Sequence, residues 1–474
     1  MTLFDLNENI YQFHLTGHPF IDIGLVTILV MVGKNRIEDL NSQDLHDVAT
    51  KLKDWYSANE SARNYISAMF PYSHFTQPKM NQEQREEYGD RYLFSFTGDR
   101  LVKAGEKGCV YFNELAATEV AYRQHIPLLT GENIGNFSPR GRYGLPVSGL
   151  ALLLIHAMPF GCLKCGGRFL GFHQQSIHNT SKSIRLMITL TKSIWQRNLI
   201  ERLVLNEAKW QDFGGRAKPR YITAIISANE TIRMRDGQSD LDYITGYYFT
   251  NFGTGADINI LRLDHTVMRF IDQALLNVPE AWNRAIQLNW IQGKKGELET
   301  TEEERIANNR RNLLYEQLFT LPNYPTQFLA SLKKARSWKL IEIFLKEILF
   351  MDQKRIDTYK RLGDLLTDYA LKFENQPHSF YYAFSRAKSY TALRGVIRNA
   401  AEKMYKTDAE NTLFTYDDFI AAFEHPTERY SQWRLACDLI SIRMLELLHQ
   451  HKIDLSELPD EELNLKELTQ EETE

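Results

Sequence analysis

The chain has little cysteine, no long apolar run and none of the glycine-rich loops on which nucleotide chemistry usually rests. Four cysteines in 474 residues are too few for a disulfide framework, and a reducing cytoplasm is the expected setting. Met1-Thr2-Leu3-Phe4-Asp5 lacks the basic start and apolar run of a secretory signal. The longest apolar stretches, Ile21 to Val32 and Leu145 to Phe160, are broken by Gly or Pro. Both fall short of the roughly 20 residues that cross a bilayer, so they are expected as buried core, with no membrane partner.

Catalytic signatures are missing too. There is no phosphate-binding loop ending in Gly-Lys-Ser/Thr and no Gly-x-Ser-x-Gly elbow, and Gly253-Thr-Gly255 lacks the third glycine of a dinucleotide fingerprint. Asp264-His265 supplies half of a metal-phosphohydrolase dyad, but local spacing identifies no further ligands, and an ordinary Asp-His in or near a helix is the competing reading. No enzyme activity is expected. A metal-dependent nuclease or phosphohydrolase using that pair is the alternative, and a helical scaffold that binds only protein is a third reading.

What is present is a large core and an uneven charge. With 43% apolar and 24% charged residues, the chain has material for two or three packed units. The net charge of −4 argues against a uniformly basic protein, yet it conceals segregation. Residues 133–220 carry 13 Lys/Arg against three acids, 320–406 carry 16 against eight, and 407–474 carry five against 17. A polyanion is held by local charge, over about one Debye length (~10 Å at 0.1 M salt). The two basic blocks therefore fit a nucleic-acid partner, the competing reading being solvated helix faces.

Patterning gives a fold class of α+β: a mixed N-terminal body with a central zinc-ribbon-like knuckle, then an all-α C-terminal helical bundle. Ile21 to Val32 and Ser42 to Tyr56 read as helices, the second with Ser42 as its cap. Turn signals across 71–180 predict mainly loops and short strands, Arg185 to Leu205 reads as helix, and Tyr221 to Ser227 and Tyr243 to Phe252 read as strands. The charged, Gly-containing stretch from Gln292 to Arg305 is linker-like, which sets domains of 1–320 and 321–474. In the second, four helices are expected over Thr326 to Phe350, Gln353 to Phe373, Phe380 to Tyr405 and Thr427 to His451, with Thr326 and Thr427 as caps and a fraying acidic tail from Asp454.

Three groups of residues carry candidate chemistry. Cys162-Leu-Lys-Cys165-Gly-Gly has the spacing of a zinc knuckle, which supplies two of four ligands. Upstream, Cys109 stands alone, with Phe112 where a second cysteine would complete the pair. Either His173 or His178 completes a structural zinc site, or the loop is a metal-free turn. Basic residues mixed with a ring, Arg140, Arg142 and Tyr143, suit phosphate contact or insertion into a groove. Arg216, Lys218 and Arg220 form a similar anion cradle, and Lys164 lies within the knuckle with Arg168 just after it. Finally, Arg386, Tyr390, Arg394 and Arg398 recur every four residues and are expected as one stripe on a single helix, able to track a strand. Phe328, Trp338, Phe344, Phe350 and Tyr359 are expected in the core.

Leu15-Thr16-Gly17-His18-Pro19-Phe20-Ile21-Asp22-Ile23-Gly24, followed by an apolar helix, resembles the opening of the large subunit of type I-B CRISPR Cascade complexes. Cys109 and Cys162-x-x-Cys165 resemble that family's zinc-ribbon segment. The resemblance implies a non-catalytic subunit that binds the 5′ handle of the guide RNA, recognises the protospacer-adjacent motif on double-stranded target DNA and stabilises the R-loop with its displaced strand. It implies backbone and handle-binding Cascade subunits as partners, and a docking surface for the helicase-nuclease or a transposition partner. The C-terminal bundle resembles the small subunit, and Met351 is a candidate internal start for separately made small subunits of 124 residues.

Overall fold

The computed structural model describes residues 11–129, 131, 143–165, 167–174, 180–197, 244–251, 256–291, 305, 310–407, 413, 415–423 and 432–453. The chain divides into two compact units, 1–272 with 290–319 and 273–289 with 320–474. The segment 273–289, which the sequence reading groups with the body, is thus counted with the second unit. The described elements run α1 (Pro19–Met31), α2 (Ser42–Ala58), α3 (Glu60–Ile66), α4 (Gln82–Tyr92), β1 (Glu119–Ala121), β2 (Leu145–Val147), α5 (Gly149–Ala157), β3 (Leu163–Cys165), β4 (Arg168–His173), α6 (Thr180–Arg197), β5 (Thr245–Thr250) and β6 (Asp257–Arg262). They continue through α7 (His265–Asn277), α8 (Pro279–Leu288), α9 (Leu313–Gln317), α10 (Pro325–Lys333), α11 (Trp338–Glu347), α12 (Gln353–Phe373), α13 (Pro377–Ser385), α14 (Tyr390–Thr407), α15 (Tyr416–Phe423) and α16 (Gln432–Gln450).

The first unit is organised round a helix without a polar face. Helix α1 buries every residue from Phe20 to Leu29, and a helix apolar on all sides has to be enclosed on all sides. Helix α5, buried along its whole length, packs against it, as do α6 and β4. A Cβ on Gly24 would stand 2.1 Å from the Leu154 carbonyl oxygen, so only glycine lets the backbones of α1 and α5 approach this closely. Beside them lies an antiparallel sheet in the order β3-β4-β5-β6, with Phe20 of α1 and Phe249 of β5 5.0 Å apart between ring centroids. Strands β1 and β2 form a separate two-stranded sheet.

The second unit is helical, as the sequence pattern predicts, with α12 and α16 packed along each other and α13 and α15 against both. Gly363 of α12 makes room for Arg443 of α16, whose side chain would lie 2.6 Å from an added Cβ. Arg443 donates to Asp364 from Nε and to Glu446 from Nη1, each at 2.5 Å. Glu446 in turn accepts the Trp338 N–H at the start of α11 at 3.1 Å.

Several local expectations are corrected. The cap of α2 is Asn41, not Ser42: its side chain accepts the Asp44 N–H while the Asp44 carboxylate accepts the Asn41 N–H. Proline at its first position starts α10 after Tyr324, which leaves Thr326 inside the helix; Thr427 lies outside the described residues. The stretch 71–180 contains two helices, α4 and the buried α5, because capping by Asn81 and by Ser148 outweighs the nearby turn signals. Thr326 to Phe350 and Phe380 to Tyr405 each divide into two helices, and α15 was not foreseen. Of the two strand predictions, the second is β5, and Tyr221 to Ser227 lies outside the described residues. Phe350 is 69% exposed and so is not core, whereas Phe328, Trp338, Phe344 and Tyr359 are buried.

Candidate nucleic-acid interface

Of the residues predicted as one helical stripe, Tyr390, Arg394 and Arg398 share α14 and Arg386 does not. Ser389 accepts the Ala392 N–H at 3.1 Å and so starts α14 afresh. Arg386 closes α13 instead, its N–H bonded to the Tyr382 carbonyl oxygen at 3.0 Å. The break nonetheless gathers more rings than the stripe contained, with Arg434 in place of Arg398. Arg386 lies 4.8 Å from the Tyr382 ring centroid. Arg394 lies 5.7 Å from Tyr390 and 6.0 Å from Phe419, and Arg434 lies 5.8 Å from Trp433. The Tyr390 ring is 6.4 Å from Phe419 and 6.3 Å from Trp433, so α14, α15 and α16 meet at one corner.

Local chemistry holds that corner in shape. Arg434 Nη1 donates to the Ala387 carbonyl oxygen at 3.0 Å, tying α16 to the α13–α14 turn. Thr415 and Asp418 cap α15 reciprocally, and Asp418 also pairs with Arg361 of α12, which holds its carboxyl down at about 2. The three rings Tyr390, Phe419 and Trp433 are half-buried, and Arg386, Lys388, Arg394 and Arg434 are exposed. Among the described residues, Arg386, Arg394 and Arg434 form no ion pair. Asp438, close enough to Arg434 to feel its charge, is held above the usual carboxylate range by burial. Cations over partly exposed rings offer a base a stacking surface and a phosphate a counter-charge. Phe419, Trp433 and Arg434 escaped the sequence reading because helical spacing does not connect them to Tyr390, although the adjacent Trp-Arg pair was a local signal.

The other predicted contacts are scattered. Arg398 is exposed and 3.7 Å from Glu402, which offsets its charge. Tyr143 is 58% exposed; Arg140, Arg142, Arg216, Lys218 and Arg220 lie outside the described residues. Lys164 donates to the Asn64 carbonyl oxygen at 3.4 Å, and Arg168 pairs with Asp257. Asp264 accepts the N–H and hydroxyl of Thr266 at 2.9 and 2.7 Å, which starts α7 and holds its carboxyl below the usual range.

The knuckle is an antiparallel hairpin, with Cys165 opposite Arg168 and Gly167 turning at φ +75°. Cys162 is fully buried and its thiol is pushed up by burial. Cys109, also buried, accepts from the Ser148 hydroxyl at 3.4 Å. His173 is engaged elsewhere, its Nε2 2.8 Å from Asp22. The Cys165 side chain and His178 lie outside the described residues, and among the described residues no three His, Cys, Asp or Glu side chains gather as a metal would need. The donors that are described do not make up a tetrahedral zinc set.

Thr16-Gly17-His18-Pro19-Phe20 has an internal role. The Asp22 carboxylate accepts the Thr16 N–H, the Thr16 hydroxyl and the Gly17 N–H at 2.7, 2.9 and 2.9 Å, besides its contact with His173 of β4. The segment thereby locks the entry of α1 to the sheet. Asp99 does similar work at α5, accepting the Gly149 and Leu150 N–H groups at 2.7 and 2.8 Å. Burial pushes its carboxyl up to about 6.

No family model, curated protein or solved structure matches the chain. Among the described residues no helix is long and apolar enough to cross a membrane.

Proposed function

We propose that this chain is a non-catalytic, nucleic-acid-binding large subunit of the type I-B CRISPR Cascade kind, and that its C-terminal bundle holds a single strand of the R-loop. The carrying observation is the corner where Arg386, Arg394 and Arg434 lie over Tyr382, Tyr390, Phe419 and Trp433. Each stacked base contributes about 1–3 kcal/mol, and the guanidiniums neutralise the phosphates between bases. The basic block at 133–220 is assigned to the guide handle and the motif-bearing duplex, through Arg140, Arg142, Arg216, Lys218 and Arg220, on the strength of its charge and of the family resemblance. A small subunit started at Met351 would carry the whole corner, since α12 to α16 pack mainly on one another. Zinc at Cys162-x-x-Cys165 stays a proposal resting on spacing alone.

The test is a fluorescence-anisotropy titration of a labelled oligothymidylate and its duplex. Arg394→Ala/Arg434→Ala should weaken single-strand binding about tenfold and lower the salt slope by roughly 1.4, two phosphates at about 0.7 each. Unchanged affinity and slope would remove the bundle from the strand.

A further inference from the structure

Strands β1 and β2 pair with Ala121 opposite Leu145, and the chain that joins them leaves and returns side by side. A Cβ on Gly144 would lie 2.8 Å from Tyr122 Cε1, and glycine at φ +70° lets the returning backbone pass this close to the ring. Arg123 follows Tyr122 and Tyr143 precedes Gly144, so both stand at this neck. Gly131 touches it as well, an added Cβ there falling 3.5 Å from Arg123 Nε. The guanidinium carbon of Arg123 lies 3.9 Å from the centroid of the Tyr72 ring, which is van der Waals contact with the ring face. Arg123 is exposed and Tyr72 half-buried, and Tyr143 is exposed too. Among the described residues Arg123 forms no hydrogen bond or ion pair. The ring fixes the cation in place while its N–H donors stay open to solvent.

We propose that Arg123, held on Tyr72, and Tyr143 form a clamp for an unpaired nucleobase on the first unit. Bases stack on guanidinium planes as they do on aromatic rings, and the N–H edge of Arg123 donates to the adjoining phosphate. Tyr143 adds an exposed ring at the same neck. The clamp rests on the reading that the basic block from residue 133 faces nucleic acid. The neck is the root of the connection that contains Arg140 and Arg142, which themselves lie outside the described residues. Those two arginines are assigned to phosphates, which single strands and duplexes share. A stacking surface needs a base free of its own stack, so the clamp selects an unpaired segment over duplex. The chemistry is common to an RNA and a DNA strand.

The experiment is ultraviolet crosslinking of the full chain to ribo- and deoxyribo-oligonucleotides carrying 5-iodouracil, with the adducts mapped by mass spectrometry. Wild type should give adducts at Tyr72 or Tyr143. Arg123→Ala should lower their yield about tenfold with second-unit adducts unchanged, and Arg123→Lys, which keeps the charge but not the plane, should lose most of it. Adducts from the ribo-oligonucleotide alone support an RNA site, from the deoxyribo-oligonucleotide alone a DNA site, and from both a site indifferent to the sugar. No adduct at either tyrosine in wild type, or a yield that Arg123→Ala leaves unchanged, would overturn the clamp. If Arg140→Ala/Arg142→Ala then still weakens binding of the same oligonucleotides, the basic block keeps its nucleic acid and the clamp alone falls; if it does not, both fall.

Discussion

In the first unit Asp22, Asp99, His125, His156 and His173 lie buried, each engaged with backbone or another side chain, and even the motif that draws attention in the sequence is turned inward. In the second unit Arg386, Arg394 and Arg434 lie over rings at the surface, with Arg361 and Asp418 bracing the helix beside them. Buried polar groups define the first unit's architecture; in the second, cations over three adjoining rings form the surface proposed to bind. A polar residue that stands out in sequence is therefore no guide to function until its partners are known.

The largest effect expected from that contrast is at Asp22. Asp22→Ala leaves the Thr16 and Gly17 N–H groups and His173 without their acceptor, and should lower the first unit's stability by about 3 kcal/mol or more. A calorimetric transition unchanged within about one degree would mean the lock is dispensable.

Acidification comes next. His125 and His156 are lowered to about 3 and about 4 by burial, so their contribution is complete above the unfolded value near 6.5 and is lost as pH falls toward those values. Asp99, raised to about 6, acts oppositely, favouring the folded state below about 3.8 and losing that advantage as pH rises through 6. Two histidines oppose one aspartate between about pH 4 and 6, and His18, also lowered by burial, adds to the histidine side, so urea unfolding of the first unit should show a net loss of at least about 1.4 kcal/mol per pH unit on acidification. Stability that rises from pH 6 to 5 would show that the histidines are not buried as described.

In the second unit Arg386→Ala/Arg394→Ala should leave unfolding nearly unchanged while reducing single-strand affinity about tenfold, about 1.4 kcal/mol, by anisotropy. Loss of fold with loss of binding would erase the contrast between the units. The smallest change is expected for Arg398→Ala and Arg168→Ala, whose charges are matched by Glu402 and Asp257 at the surface. Each should alter stability by less than about 1 kcal/mol, and affinity little; a large drop in binding would move the strand along α14 or onto the sheet.

The helical second unit, the buried Ile21 to Val32 segment and strand β5 were legible because helical periodicity, compact apolar runs and clustered aromatics are local signals. The division at Ser389 was not, since one hydroxyl cap outweighs a four-residue repeat that runs across it. Half of the corner was legible as Arg386, Tyr390 and Arg394. Phe419, Trp433 and Arg434 arrive from helices far along the chain, and no spacing rule links them. Likewise, Cys162 and Cys109 look alike as metal ligands in sequence, yet packing buries both in the first unit's core, where Cys109 accepts from the Ser148 hydroxyl.

The central claim is that the binding surface is the corner of α14, α15 and α16. Amide hydrogen exchange on the full chain, with and without a saturating oligothymidylate, tests it most directly. The account predicts new protection across 386–398, 416–423 and the first turns of α16, with the buried helices α1 and α5 unchanged. Protection confined to other segments, with the corner exchanging as in the free protein, would contradict it.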